Sequence, residues 1–189
     1  LGGRKMAILI VVLIIIVVFL LFIIFGIYNS LIIAKNRVKN AWSQIDVQLK
    51  KRYDLVPNLI ETVKGYMKHE QQTLTKITEL RNQAMNAKDQ DLKIKANNEL
   101  SKALGSLNVV VENYPDLKAS QNFLMLQEEL SGIENKIAYS RQFYNDSVMT
   151  FNNKVEMFPT NVIANMLGFK EKTFLETPDV EKKNVKVSF

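Results

Sequence analysis

The chain has 189 residues, 47% of them hydrophobic, with only seven Gly and four Pro, a composition that argues against a turn-rich β fold and for long uninterrupted helices. With no cysteine and a single histidine, His69, disulfides, thiolate metal sites, cysteine nucleophiles and a two-histidine metal site within one chain are excluded. The net charge of +6 is concentrated ahead of Tyr53, so the expected counter-charge is anionic lipid rather than nucleic acid, for which a distal basic patch interleaved with aromatics is missing.

Met6 to Tyr28 reads MAILIVVLIIIVVFLLFIIFGIY, without one charged side chain. As a helix this run is roughly 34 Å long, enough to cross a hydrocarbon core of about 30 Å with slight tilt. Its Val and Ile would suit a strand, but a lone strand leaves its backbone unsatisfied in lipid and a helix does not. A buried helix of a soluble protein is disfavoured because every face is apolar. A cleaved signal peptide is disfavoured because the run is too long and no small-x-small site follows. The span has no polar or charged residue for an ion path and no GxxxG seam; by itself it is an anchor. Lys35, Arg37 and Lys39 follow it, and Arg4 and Lys5 precede it. That asymmetry predicts N-out, C-in, with the distal domain in the cytoplasm; a start at Met6 would strengthen it.

Beyond the span, Leu31, Ala34, Val38, Ala41/Trp42, Ile45 and Leu49 recur every three or four residues, one apolar stripe on a helix. The membrane helix is therefore expected to continue into the next domain. Pro57 is expected in the first turn of a second helix, where its missing N–H costs little. That helix carries Leu59, Val63, Tyr66, Leu74, Ile77, Leu80 and Ala84, with a polar kink at His69–Glu70. Asn86–Asp91 reads as a turn in which Asp89 or Asp91 caps the third helix. The third stripe is Leu92, Ala96, Leu100, Ala103/Leu104, Leu107, Val110/Val111 and Tyr114, ending before Pro115. The fourth runs from Leu126 through Leu130, Ile133, Ile137, Tyr144, Val148, Phe151 and Val155 to Phe158. Thr160 or Asn161 is expected to cap a short helix that Gly168 ends. The predicted fold is all-α, a transmembrane helix continuing into an antiparallel up-and-down four-helix bundle. Its divisions are 1–5 (N-terminal segment), 6–28 (span), 29–175 (bundle) and 176–189 (tail), the tail being either a disordered end or a strand that pairs on assembly.

Candidate chemistry is sparse. His69–Glu70 starts no HExxH, because position 73 is Thr, and a polar cap or kink is the simpler role. Single glycines form no phosphate loop, and no serine lies in GxSxG. Glu128, Glu129 and Glu134 lack the further oxygen ligands of a cation loop. Glu134, Ala138, Arg141 and Asn145 share one helical face, with Asp146 on the adjacent one. These residues suit an interhelix hydrogen-bond network or a partner surface, the internal network being favoured. Trp42 lies on an apolar stripe, as a packing residue. The cluster Lys50, Lys51 and Arg52 is expected to be solvated or to meet an acidic partner face. No catalytic residue, cofactor or metal is predicted.

Three blocks closely resemble the LemA family: AWSQIDVQLKKRYDLVPNLIETVKGYMKHE from Ala41, YPDLKASQNF from Tyr114, and LQEELSGIENKIAYSRQFYNDSV from Leu126, with FP at Phe158 and GFKEKTF from Gly168 following. They lie in the family's order and cover most of residues 30–175; beyond Thr177 nothing is carried over. The resemblance implies a bacterial, single-pass cell-membrane protein with a helical bundle and no agreed activity, some relatives belonging to membrane-organelle gene sets. The expected function is a non-enzymatic membrane scaffold or adaptor that contacts lipid, forms homo-oligomers and meets a membrane-protein partner. The alternative is a membrane-remodelling coat.

Overall fold

The structure, a computed structural model, describes residues 2–67 and 69–176. The expected tail lies almost wholly outside them. Six helices are present among the described residues, and no strand: α1 (Gly2–Lys64), α2 (Gln71–Asn86), α3 (Gln90–Val111), α4 (Pro115–Lys118), α5 (Gln121–Glu156) and α6 (Thr160–Met166). The long helix α1 contains the apolar run, and it is the one helix among the described residues long and apolar enough to cross a membrane. From Ile8 to Phe25 every residue is exposed, so nothing among the described residues covers those apolar faces.

By packing, the chain forms two compact units. The first comprises the chain up to Ala41 together with Tyr144–Phe174. Leu31, Ala34 and Val38 of α1 are buried in it, as are Val148, Phe151 and Val155 of α5. Lys154 Nζ donates to Ser30 Oγ at 2.7 Å. The Phe151 and Phe169 rings meet edge-on at 6.3 Å, and the Lys35 ammonium lies 5.7 Å from the Phe169 centroid. Asn152 holds the extended residues after α6, donating to the Lys172 carbonyl and accepting from its N–H, both at 2.9 Å. Gly168, at φ 73°, closes α6; the Phe169 N–H reaches back to the Ala164 carbonyl at 3.0 Å, a left-handed cap that favours glycine. Thr160 does not cap this helix. Its hydroxyl donates to the Met157 carbonyl at 2.8 Å instead. Phe158, expected on the fourth buried stripe, is 82% exposed, because α5 ends at Glu156 and the periodicity ends with it.

The second unit comprises Trp42–Phe143 with the chain from Leu175. Here α1 buries Ile45, Leu49, Val56 and Val63, and it runs through Pro57 rather than restarting there. The helix ends at Lys64, so His69 and Glu70 lie in the connection to α2 and are not a kink within a helix; Tyr66 is exposed. A proline inside a helix strands the carbonyl four residues earlier. That carbonyl belongs to Tyr53, and Arg81 Nε of α2 donates to it at 2.6 Å. The lost backbone bond is thus replaced from the neighbouring helix. Arg81→Met is expected to cost roughly 1–2 kcal/mol by leaving the carbonyl unpaired. In a Pro57→Ala background the residue-57 N–H restores the bond and the cost shrinks. Thermal unfolding of the four variants tests this; an equal cost in both backgrounds would refute the account.

Asp89 caps α3, its carboxylate accepting from the N–H groups of Asp91 (2.8 Å) and Leu92 (3.4 Å). The phase of α3 differs from the expected stripe at its start. Leu92 is 59% exposed, and Ile94 and Asn97 are buried in place of Leu92 and Ala96.

Candidate functional site

The most polar part of the second unit's interior is built around Arg52, whose side chain is 0% exposed. It stands on the buried stripe of α1 between Leu49 and Val56, so its guanidinium must be satisfied by protein. Nη1 pairs with Glu134 Oε1 of α5 and donates to Ser101 Oγ of α3 at 2.7 Å. Nη2 donates to the Asn97 carbonyl at 3.2 Å and to Asn97 Oδ1. Ser101 Oγ donates in turn to Glu134 Oε1 at 2.9 Å. Asn97 Nδ2 donates to the Tyr53 hydroxyl at 2.6 Å and to the Lys93 carbonyl at 2.8 Å. The planar guanidinium, with donors in a fixed fork, ties one helix to two others at once.

Beside this network lies a groove of about 1180 Å³ lined chiefly by α3 and α5, with Asn98, Ser101, Glu134, Arg141 and Glu176 among its walls. Arg141 Nη2 donates to Asn98 Oδ1 at 2.8 Å. Glu134 is the half-exposed member, its side chain 39% accessible. Lys93 extends the polar contacts outward through its ion pair with Asp46. Among the described residues no group of three or more His, Asp or Glu is placed to hold a metal ion, and one oxygen of Glu134 is taken by Arg52 and Ser101. Through these bonds α1 is joined to both α3 and α5.

Burial pushes the Tyr53 phenol above its usual 10.0, the Asn97 hydrogen bond and the nearby Arg52 and Lys93 charges opposing this only in part. Above pH 10 the unfolded chain therefore loses this proton before the folded one does, and stability falls as pH rises towards the folded-state value. The full chain in mild detergent, unfolded with denaturant at a series of alkaline pH values, is expected to show this decline. Tyr53→Phe should show a shallower one; an identical slope would remove Tyr53 from the explanation.

The predicted site residues are distributed as follows. Arg52 and Glu134 come together, but Arg52 is not part of a solvated cluster with Lys50 and Lys51, which are exposed. Arg141 is buried and joined to α3. Asn145 is half-buried and Asp146 exposed; both belong to the first unit. Lys35, Arg37 and Lys39 are exposed just beyond the span. Tyr53, Asn97, Asn98 and Ser101 are the members that sequence reasoning misses. The available signal is a polar residue falling in step with an apolar stripe: Arg52 within Leu49–Val56, and Asn97 within Ile94–Leu100.

The LemA family model matches residues 41–189. The chain belongs to the LemA family. The match extends through the tail, further than the sequence blocks alone carry it. A LemA protein from Metamycoplasma hominis is 30% identical over 161 residues, covering 85% of this chain and 74% of its own. Shorter matches are to magnetosome proteins MamQ 2 of Paramagnetospirillum magneticum, 32% identical over 74 residues, and MamQ of Magnetospirillum gryphiswaldense, 32% over 68. These cover 39% and 36% of the LemA-family chain described here, and only 27% and 25% of the magnetosome proteins' own lengths.

Proposed function

We propose that this chain is a non-enzymatic, membrane-anchored helical scaffold or adaptor that self-associates. Its helices beyond the span form an antiparallel up-and-down four-helix bundle on the cytoplasmic side. The observation that carries the reading is the continuity of α1, one helix from Gly2 to Lys64. It supplies both an exposed apolar span and the buried stripe of the domain behind it. Anchoring confines the domain to a surface and raises its effective concentration for like copies or a membrane protein partner. The Arg52 network supports a rigid presenting surface, and exposed Lys35, Arg37 and Lys39 support contact with anionic lipid. The expected result is a defined oligomer after mild detergent extraction; a uniform monomer at micromolar concentration by mass photometry would count against self-association.

A second reading, a membrane-remodelling coat, is favoured by the similarity to the two magnetosome proteins. It requires lateral contacts that curve a bilayer. Electron microscopy of liposomes carrying the protein at high density separates the two readings, since unchanged vesicles would eliminate the coat.

A further inference from the structure

We infer that Met157–Phe169, the turn after α5 together with α6 and its cap, is a second membrane contact, seated in the headgroup–acyl boundary of the bilayer that α1 spans. The inference rests on the anchor reading and adds a surface to it. In a chain that is 23% charged, residues 157–169 read MFPTNVIANMLGF without one charge, bracketed by Lys154 and Glu156 before and Lys170, Glu171 and Lys172 after. Inward the segment turns fully buried Ala164 and half-buried Ile163 and Phe169. Outward it presents Phe158 at 82%, Met166 at 78% and Met157 at 62% exposure, with Val162 and Leu167 about half exposed. Side chains of this size held open to water call for an apolar neighbour.

Two contacts within the first unit place the segment against lipid. Phe151 of α5 meets Phe169, whose ring lies under the Lys35 ammonium. Three residues later along α5, Lys154 bonds Ser30. Lys154 stands in the last turn of α5, so it is the end of α5 that meets α1 beside the span. Ser30 is two residues beyond Tyr28, the last residue of the apolar run, an axial step of about 3 Å. The chain leaving α5 at Glu156 thus emerges at the end of the span, and the exposed side chains are delivered there. Short amphipathic helices lie in this boundary with their apolar face roughly 5–10 Å deep. Lys35, Lys154, Lys170 and Lys172 outnumber Glu156 and Glu171 around the segment, a basic excess that suits anionic headgroups. Continuity with the span and this basic surround favour the bilayer over a second copy of the chain as the occupant.

Because the chain has no cysteine, single labels can be placed cleanly on this chain. Val162→Cys, Met166→Cys, Ile16→Cys in the span and Lys95→Cys on the exposed side of α3 would each carry an environment-sensitive fluorophore. The protein is reconstituted in phosphatidylcholine vesicles containing phosphatidylglycerol. Labels at 162 and 166 are expected to be several-fold less accessible than that at 95 to a water-soluble quencher, and strongly quenched by lipids spin-labelled at the headgroup; the label at 16 should be shielded from both. Labels at 162 and 166 as accessible as that at 95, with 16 still shielded, would overturn this inference and leave the anchor standing. Shielding at 162 and 166 without headgroup-lipid quenching would also overturn it, by assigning the surface to a protein neighbour. Water access at 16 would remove the anchor reading itself, and this inference with it.

Discussion

Glu134→Ala is expected to destabilise the protein by about 2–4 kcal/mol, a large share of the 5–15 kcal/mol typical of a folded domain. The two ends of the ion pair differ in exposure: the Arg52 side chain is 0% accessible and that of Glu134 39%. Removing the carboxylate leaves a buried cation without its counter-charge, and Asn97 and Ser101 remain to satisfy it. Arg52→Met removes the charge while keeping most of the volume, and the freed Glu134 can turn to the groove. The remaining loss is the unpaired Asn97 acceptors, roughly 1–3 kcal/mol. The expected order is therefore Glu134→Ala worse than Arg52→Met. The double variant should be no worse than Glu134→Ala alone, since the second change removes the stranded charge that the first creates. Denaturant midpoints of the three variants decide it. If Glu134→Ala lies within about 0.5 kcal/mol of the parent, the range of ordinary surface changes, the network is not a structural tie.

The second large effect concerns the span. Each Leu, Ile, Val or Phe near the centre of such a helix contributes roughly −0.3 to −0.6 kcal/mol to insertion, and a central Arg opposes it by about 2.5–3.5 kcal/mol. About twenty such residues between Met6 and Tyr28 sum to roughly −6 to −11 kcal/mol, so one arginine is too few to eject the helix. Ile16→Arg is expected to leave the protein in the membrane fraction. Three arginines, at Ile10, Ile16 and Phe22, cancel most of the driving force and should shift most of the protein to the soluble fraction after carbonate extraction. Release by the single substitution would show that the helix is held more weakly than its composition implies. With the parent span intact, a Lys95→Cys label should react with a membrane-impermeant maleimide only after permeabilisation; labelling of intact cells would reverse the proposed cytoplasmic placement.

How far the sequence reads unaided depends on how far each residue's environment is local. Asp89 caps α3 because its carboxylate needs only the N–H groups two and three residues on, and Gly168 closes α6 because a left-handed cap is a property of a few adjacent residues. The long buried stripes of α1 and α5 follow from apolar spacing, and the family resemblance from contiguous blocks. Pro57 is different. Local rules place it at a helix start, but a helix passes through it because Arg81, 28 residues beyond the Tyr53 carbonyl that it serves, supplies the missing donor. Arg52 reads locally as the third of three basic residues, yet lies inside because Glu134 and Asn97 come from other helices. The phase of α3 is also nonlocal, set by the burial of Asn97 against Arg52 and Tyr53.

The span shows the division most plainly. From sequence alone, Met6–Tyr28 is a helix apolar on all faces, because a bilayer demands internal backbone pairing and apolar side chains and asks nothing of the rest of the chain. What only the tertiary structure decided is what stands beside its end: Lys154 meeting Ser30, and with it the uncharged, exposed segment after α5. No spacing rule carries that, since contacts between residues 124 positions apart depend on which faces the folded helices turn to one another.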